Sequence, residues 1–435
     1  PTGAGEFLVH GIVGGTRTPI VDWRRQPAAS VIGWFNGLEN RRTQYAHPFH
    51  EPRHPAGNPY ETFADRLQAV MQRALVDYDS ALLPVTGGID SRMLLAALLA
   101  SQDKLECYTH GSPGCADDVI TQEYKQKLQI PQRFHAITED QYAVFKSRVV
   151  GNLSRLGPDY DSLAYPHVLT SYEREEPANR LFAAGVGTGI HKIPYMPMTA
   201  HGYSPVPIVD AIVGHYGRSS QAALLRDDVA ENAVQQMRQS IEQCVSECPT
   251  GIKRVHLVQY YHMQQRLGRW ANRGMQLQDL CGYDIIYPFM DPQLMHESHR
   301  LGYAAQHMGQ KIIRAIRHLQ PQLLDINNAN GWPCSVLTPS AILQNAPAYW
   351  RGLKNYLHRR RSGQVAKNIA IVNYRDVFAG AYKDWSMGLL EPQSSHLGGV
   401  VKEQAMQDLH GQLQAGSANP KVVGPIAALE LWCRS

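Results

Sequence analysis

The sequence predicts an α/β fold, a parallel doubly wound sheet with extensive C-terminal helices, on three observations. Between residues 81 and 190 short apolar runs alternate with helical patterns, the order that builds parallel strands joined by crossover helices. Two of those runs, 81–85 and 181–184, end in glycine turns, at the strand ends where such sheets bind ligands. From about residue 207 the pattern is mainly helical and amphipathic, as over 220–247 and 253–280.

Composition bounds the function. A chain of 435 residues holds two or three domains, or one large α/β domain with additions. With 43% hydrophobic and 18% charged residues it is globular and not disordered. A net charge of +4 neither demands nor excludes nucleic acid. No apolar run reaches the length of a membrane span and no signal peptide opens the chain, so no membrane partner is expected. Seven cysteines without paired spacing suit a reducing, cytoplasmic compartment, and no C-x-x-C zinc pattern occurs. Cys244 and Cys248, four residues apart, read as helix packing. The chain opens on Pro1 and not Met, which reads as a trimmed or processed start.

Taken in order, residues 1–59 are rich in Gly, Pro, Arg and His, with short strand-like pieces such as Ala29 to Phe35. His47, His50 and His54 stand among prolines, which argue for an extended connector and against a metal site. Residues 60–78 carry apolar positions at 63, 67, 70, 71, 74 and 75, the spacing of a lead-in helix. The next stretch, ALLPVTGGIDSRMLLAALL from residue 81, reads as strand, glycine turn and helix. A helix N-terminus facing such a turn favours phosphate through its free N–H groups and its dipole, and Gly87 and Gly88 allow close approach. Asp90 suits a magnesium ion on that phosphate and Ser91 a further hydrogen bond. The plainer alternative is a helix start with an ordinary acidic cap. No G-x-x-x-x-G-K-[ST] occurs, so this is not a Walker loop.

A second strand is expected over Leu105 to Gly111, a helix over Asp117 to Leu128, and a third strand over Phe134 to Ile137. Residues 181–192, LFAAGVGTGIHK, again run from an apolar strand into a glycine turn, without the full dinucleotide fingerprint. Lys192 offers positive charge to a phosphate or an acyl-adenylate oxyanion, or is a solvated lysine at a loop end. Residues 351–361 form a basic patch, read as a solvated helix face before nucleic-acid binding. The sparse segment 387–400 reads as a mobile loop.

Thr86-Gly87-Gly88-Ile89-Asp90-Ser91 resembles the S-G-G-x-D-S pyrophosphate loop of the N-type ATP pyrophosphatases, and most closely the synthetase half of the asparagine synthetases. Downstream matches follow in order. Asp161, Ser162 and Pro166 resemble an acceptor-side D-x-S-x-x-P segment. Gly185 to Ile190 resembles a G-D/E-G-x-D-E motif. Arg269 to Met275 and Gly282 to Asp291 resemble R-x-x-R-x-S-M and G-x-E-x-R-x-P-F-x-D, with Asp291 suited to cap the next helix. Gln310 to Arg314, Leu319 to Leu324, and the closing Leu429-Glu430-Leu431-Trp432 also follow the family.

The resemblance covers residues 60–435. It implies a sheet of the ATP-pyrophosphatase type over 60–206, a mainly helical part over 207–435, and in 1–59 the tail or linker of a glutaminase domain without its nucleophilic cysteine. It implies ATP and Mg2+ as cofactors, with Thr86, Gly87, Gly88, Asp90, Ser91, Arg92 and Gly187 on the pyrophosphate and magnesium on Asp90. Thr109, His110 and Gly111 would lie beside the adenine, although a satisfied strand-end histidine is an equal account of His110. Lys192 and Asp284 are the catalytic candidates, and a structural ion pair is the alternative for Asp284.

The family's pattern is broken at Val186, where an acid is usual, at Gly189 and Ile190, where acids are usual, and at Ala329, where a lysine is usual. The activity implied is an ATP-dependent, amide-bond-forming ligase in specialised biosynthesis, like the β-lactam synthetases and lasso-peptide cyclases. It would activate a small-molecule or peptide carboxylate as an acyl-adenylate and release pyrophosphate. The amine would come from ammonia, a separate glutaminase or carrier partner, or the substrate itself. The alternative is a catalytically divergent homologue that binds a nucleotide or a partner protein. A tRNA-modifying pyrophosphatase ranks behind both, because the C-terminal matches belong to the amide-forming branch.

Overall fold

The structure, a computed structural model, describes residues 2–27, 30–36, 38–44, 57–157, 163, 166–192, 205–248, 254–271, 276, 279, 281–300, 306, 309–329, 334–336, 338–347, 349–350, 353–354, 357 and 371–434. His47, His50, His54, Asp161, Ser162, Arg273, Met275 and most of the basic patch over 351–361 lie outside the described residues.

The chain begins with helix α1 (Thr2–His10) and an antiparallel hairpin of β1 (Ser30–Phe35) and β2 (Leu38–Gln44). Helix α2 (Pro59–Ala74) is the expected lead-in helix. Pro59 opens it and Asn58 Oδ1 accepts from Tyr60 N–H at 3.1 Å. Then follow β3 (Ser80–Pro84), α3 (Ile89–Leu98), β4 (Leu105–Gly111), α4 (Ala116–Leu128), β5 (Gln132–Ala136), α5 (Glu139–Leu156), α6 (Pro166–Tyr172), β6 (Arg180–Ala183) and, much later, β7 (Asp284–Ile286). The third expected strand therefore starts at Gln132, two residues ahead of Phe134.

Five strands form one parallel sheet in the order β5-β4-β3-β6-β7. Both faces are covered, which is why the strands read as apolar runs and not as alternating patterns. Ala81, Leu83, Leu181 and Ala183 pack with α2, α3 and the helix Gln310–Leu319 on one face. Leu82, Tyr108 and Phe182 pack with Leu156, Tyr172 and Tyr283 on the other.

A second core joins α1 and α5 to the helices Ile208–Tyr216, Asp227–Ser246, Glu403–Gln414 and Pro420–Arg434. The two amphipathic stretches expected there are the helix Asp227–Ser246 and the helix Arg254–Tyr261, which runs on into a π-helical segment, His262–Ala271. Where the sequence suggests only a connector, α1 buries Phe7, Leu8 and Val9 in this core. The segment 387–400 is packed and not a free loop. Leu390, Leu397 and Val400 are buried, and the Glu430 carboxylate accepts from Ser395 Oγ at 2.9 Å and His396 N–H at 3.0 Å. All seven cysteines are free thiols. Among the described residues no helix is long and apolar enough to cross a membrane.

Candidate functional site

From β3 the chain winds to one side of the sheet through β4 and β5, then returns to the other side of β3 as β6 and β7. The order reverses between β3 and β6, and ligands of open parallel sheets bind in the crevice outside the strand ends at such a point. The two glycine turns singled out in the sequence follow these two neighbouring strands. A Cβ placed on Gly185, in the turn after β6, would lie 4.0 Å from Ser91 N in the first turn of α3. The Lys192 ammonium, from the end of that second turn, forms an ion pair with the Asp90 carboxylate. Asp90 and Lys192 are 102 residues apart in the chain and close the two turns on each other.

The turn after β3 is braced from within. Ser91 Oγ accepts from Thr86 N–H at 3.0 Å, and Thr86 Oγ1 accepts from Gly88 N–H at 3.2 Å. The two hydroxyls are 3.0 Å apart. Asp117, at the start of α4, accepts from Gly87 N–H at 2.7 Å through Oδ1. Burial raises the Asp117 carboxyl above its ordinary value, against the lowering effect of that bond. Gly88 caps α3 with extended backbone and no side-chain bond. The N–H groups of Ile89, Asp90 and Ser91 have no acceptor one turn back within the helix and face the crevice end of the sheet.

Arg92 stands apart from that role. It is fully buried, donates through Nη1 to Leu323 O at 2.9 Å and to Ile326 O, and through Nη2 to Asn327 O at 2.9 Å. Its guanidinium lies 5.3 Å from the Tyr124 ring centroid. Arg92 thus binds the segment 323–327 to the cradle. The same segment brings Ala329 N–H to Gly87 O at 3.1 Å. A Cβ on Gly87 would come within 2.8 Å of Ala329 Cβ and 3.0 Å of Ala329 N, so the backbone there has no room to give. Gly87→Ala is expected to cost about 1–3 kcal/mol by overpacking and to weaken nucleotide binding, read by thermal melts with and without ATP.

At the end of β4, Thr109 Oγ1 donates to Val85 O at 2.8 Å and ties β4 to the start of the cradle. The ring of His110 lies 5.6 Å from that of His167. Burial, aided by His135 and Arg174, pushes His110 down to about 4, so the imidazole is neutral at pH 7. Gly111 sits under the Cys115 thiol, where an added Cβ would approach Sγ to 2.8 Å.

In the second turn, Gly187 takes a left-handed φ of 96°. Val186 packs against the apolar cluster of Tyr108, Phe182 and Tyr283. His191 is buried, with Nε2 2.6 Å from Phe289 O and Nδ1 bonded to Ser298 Oγ. Lys311, also fully buried, donates to the same Ser298 hydroxyl. This buried chain of His191, Ser298 and Lys311 anchors the turn that carries Lys192.

Asp284 is not brought to the crevice. It opens β7 beside Leu181, at the N-terminal end of the parallel sheet, where desolvation and then its charge raise the Tyr78 hydroxyl above the ordinary tyrosine value. Asp291 caps the helix Pro292–Arg300, accepting from Gln293 N–H at 3.0 Å and Leu294 N–H at 2.9 Å. Thr86, Gly87, Gly88, Asp90, Ser91, Gly187 and Lys192 thus gather around the crevice mouth, with Thr109, His110 and Gly111 one strand away.

Asp117, His191 and Ser298 are the residues that sequence reasoning missed. Only Asp117 left a signal, an acid in the first turn of a helix that follows a strand.

The donors around Asp90 do not make a ready metal site. Its carboxylate is already engaged by an ammonium, and the facing turn contributes Val186, Gly189 and Ile190, none with a ligating side chain. Among the described residues no group of three or more His, Cys, Asp or Glu side chains is placed to hold a metal ion. No family model matches the chain, and no curated protein matches it.

Proposed function

We propose that this chain is an ATP-dependent ligase of the ATP-pyrophosphatase type that joins a small-molecule or peptide carboxylate to an amine. The observation that carries this reading is the meeting of two glycine turns at the switch point, bridged by Asp90 and Lys192. The first-turn N–H groups of α3 and the Thr86 and Ser91 hydroxyls suit the terminal phosphates of ATP. The neutral His110 ring beside the end of β4 suits the base.

A carboxylate oxygen attacks the α-phosphorus, the bond to the β-phosphate oxygen breaks, and pyrophosphate leaves on the cradle. The amine then attacks the acyl carbon, releasing AMP and a proton. Lys192 steadies the departing charge. In a pyrophosphate-release assay with magnesium-ATP, ammonia and a panel of carboxylates, release is expected to depend on one carboxylate class. Asp90→Ala is expected to reduce that release by about 100-fold or more, because Lys192 loses its anchor at the cradle.

A second reading has its own support. Val186 packs in an apolar cluster, and Ala329 meets Gly87 through backbone with no side-chain cation. A divergent homologue that binds nucleotide without turning it over fits these two sites. Retained ATP binding with no release from any carboxylate favours that reading over the ligase.

A further inference from the structure

The Lys192–Asp90 ion pair crosses the crevice at the spot where a cation on the phosphates would be expected. We propose that the Lys192 ammonium is itself that cation, so that the cradle binds the pyrophosphate part of a nucleoside triphosphate without a divalent metal on Asp90. The inference rests on the nucleotide reading and deepens it.

Three observations carry it. First, Lys192 is held in place and is not a free surface lysine. Its side chain is 13% exposed, and the residue before it, His191, is locked by Phe289 O and Ser298 Oγ. Second, the ammonium stands at the positive end of α3, where a cation is disfavoured by the helix dipole. The Asp90 carboxylate compensates that cost while the crevice lacks an anion. A pyrophosphate arriving there meets one ammonium and the first-turn N–H groups of Ile89, Asp90 and Ser91, an arrangement of fixed positive charge. Third, a magnesium ion on Asp90 would have to displace the ammonium from the carboxylate, and the turn opposite supplies no second carboxylate to offset the exchange.

The test is calorimetric titration of the full chain with ATP and with inorganic pyrophosphate, each in excess EDTA and in excess magnesium chloride. For the wild type, affinity is expected to agree within about threefold between the two conditions, a difference below 1 kcal/mol. Lys192→Met is expected to lose about 10- to 100-fold in EDTA, the effect of one charge-assisted hydrogen bond, and to recover part of it in magnesium as Asp90 is freed. Lys192→Arg keeps the charge and is expected to keep binding in EDTA, which controls for damage to the turn. Wild-type binding that collapses in EDTA, with Lys192→Met no weaker than wild type, overturns the inference and leaves the nucleotide reading standing. Absence of binding in both conditions overturns both.

Discussion

Arg92→Met is expected to lower the unfolding free energy by about 3–5 kcal/mol, because it strips several buried acceptors at once. Arg92 has no exposure, and its two terminal nitrogens reach four main-chain carbonyls, those of Leu323, Ile326 and Asn327 and, at 3.5 Å, that of Gly87. Methionine fills much of the volume but donates nothing, so the buried Leu323 and Ile326 carbonyls lose bonds that water does not replace, while the Asn327 carbonyl, on an exposed residue, loses one in a part-buried place. An unmet buried acceptor costs about 1–3 kcal/mol, and the losses do not add fully because the segment relaxes. Arg92→Lys keeps the charge as a single point donor that cannot fork to these carbonyls, and about half the loss is expected to remain. Urea unfolding of the three proteins measures the series. A loss under about 1 kcal/mol for Arg92→Met would show that the fork does not hold the segment. Since 323–329 also carries Ala329 onto Gly87, ATP affinity is expected to fall with stability in the folded fraction.

That role illustrates what local pattern conveys. The strand, turn and helix from residue 81 are legible because each is written within a few residues: an apolar run, two glycines, then a second apolar run. The partners of the turn are not. Asp117 reaches Gly87 from 30 residues away, Lys192 reaches Asp90 from 102, and Arg92 spans 231 residues to Leu323. The sequence puts Arg92 beside a phosphate because it follows Ser91, yet the helical turn aims its side chain inward, toward the backbone it holds.

Strand β7 escaped notice because three residues, Asp284 to Ile286, are too few to show a period, and its first residue then read as a catalytic acid. Helix α1 was hidden by Gly3 and Gly5, residues that lower helix propensity. In the fold Gly5 permits close packing, since a Cβ there would meet Val229 Cγ1 at 2.7 Å. The same residue signals a loop locally and a tight helix contact globally.

Lys311→Met is expected to act in the opposite direction to Arg92→Met and to stabilise the protein at neutral pH by about 1–4 kcal/mol, the range for replacing buried ionic groups with apolar ones of similar volume. The Lys311 side chain is fully buried, with Nζ 3.8 Å from the Phe63 ring centroid and bonded to Ser298 Oγ. Burial pushes its amine well below the ordinary lysine range, against the raising effect of Glu297. Between that lowered value and the lysine value of about 10.4 in the unfolded chain, the unfolded state binds the extra proton. Stability of the wild type therefore rises with pH across that window and levels off above it. The advantage of the methionine is greatest on the acid side of the window and fades as pH approaches about 10.4, where both forms of the lysine are neutral.

The substitution leaves Ser298 Oγ bonded to His191 Nδ1, with Leu294 O a further 3.2 Å neighbour, so no buried hydroxyl is orphaned. A thioether over Phe63 replaces part of the ring contact. Urea unfolding at about pH 7 and about pH 9.5 distinguishes the electrostatic account from a packing effect, because a packing gain is the same at both. A gain that does not shrink at the higher pH would mean that Lys311 keeps its proton in the fold. The anchor behind Lys192 would then be a charged hub and not a neutral one.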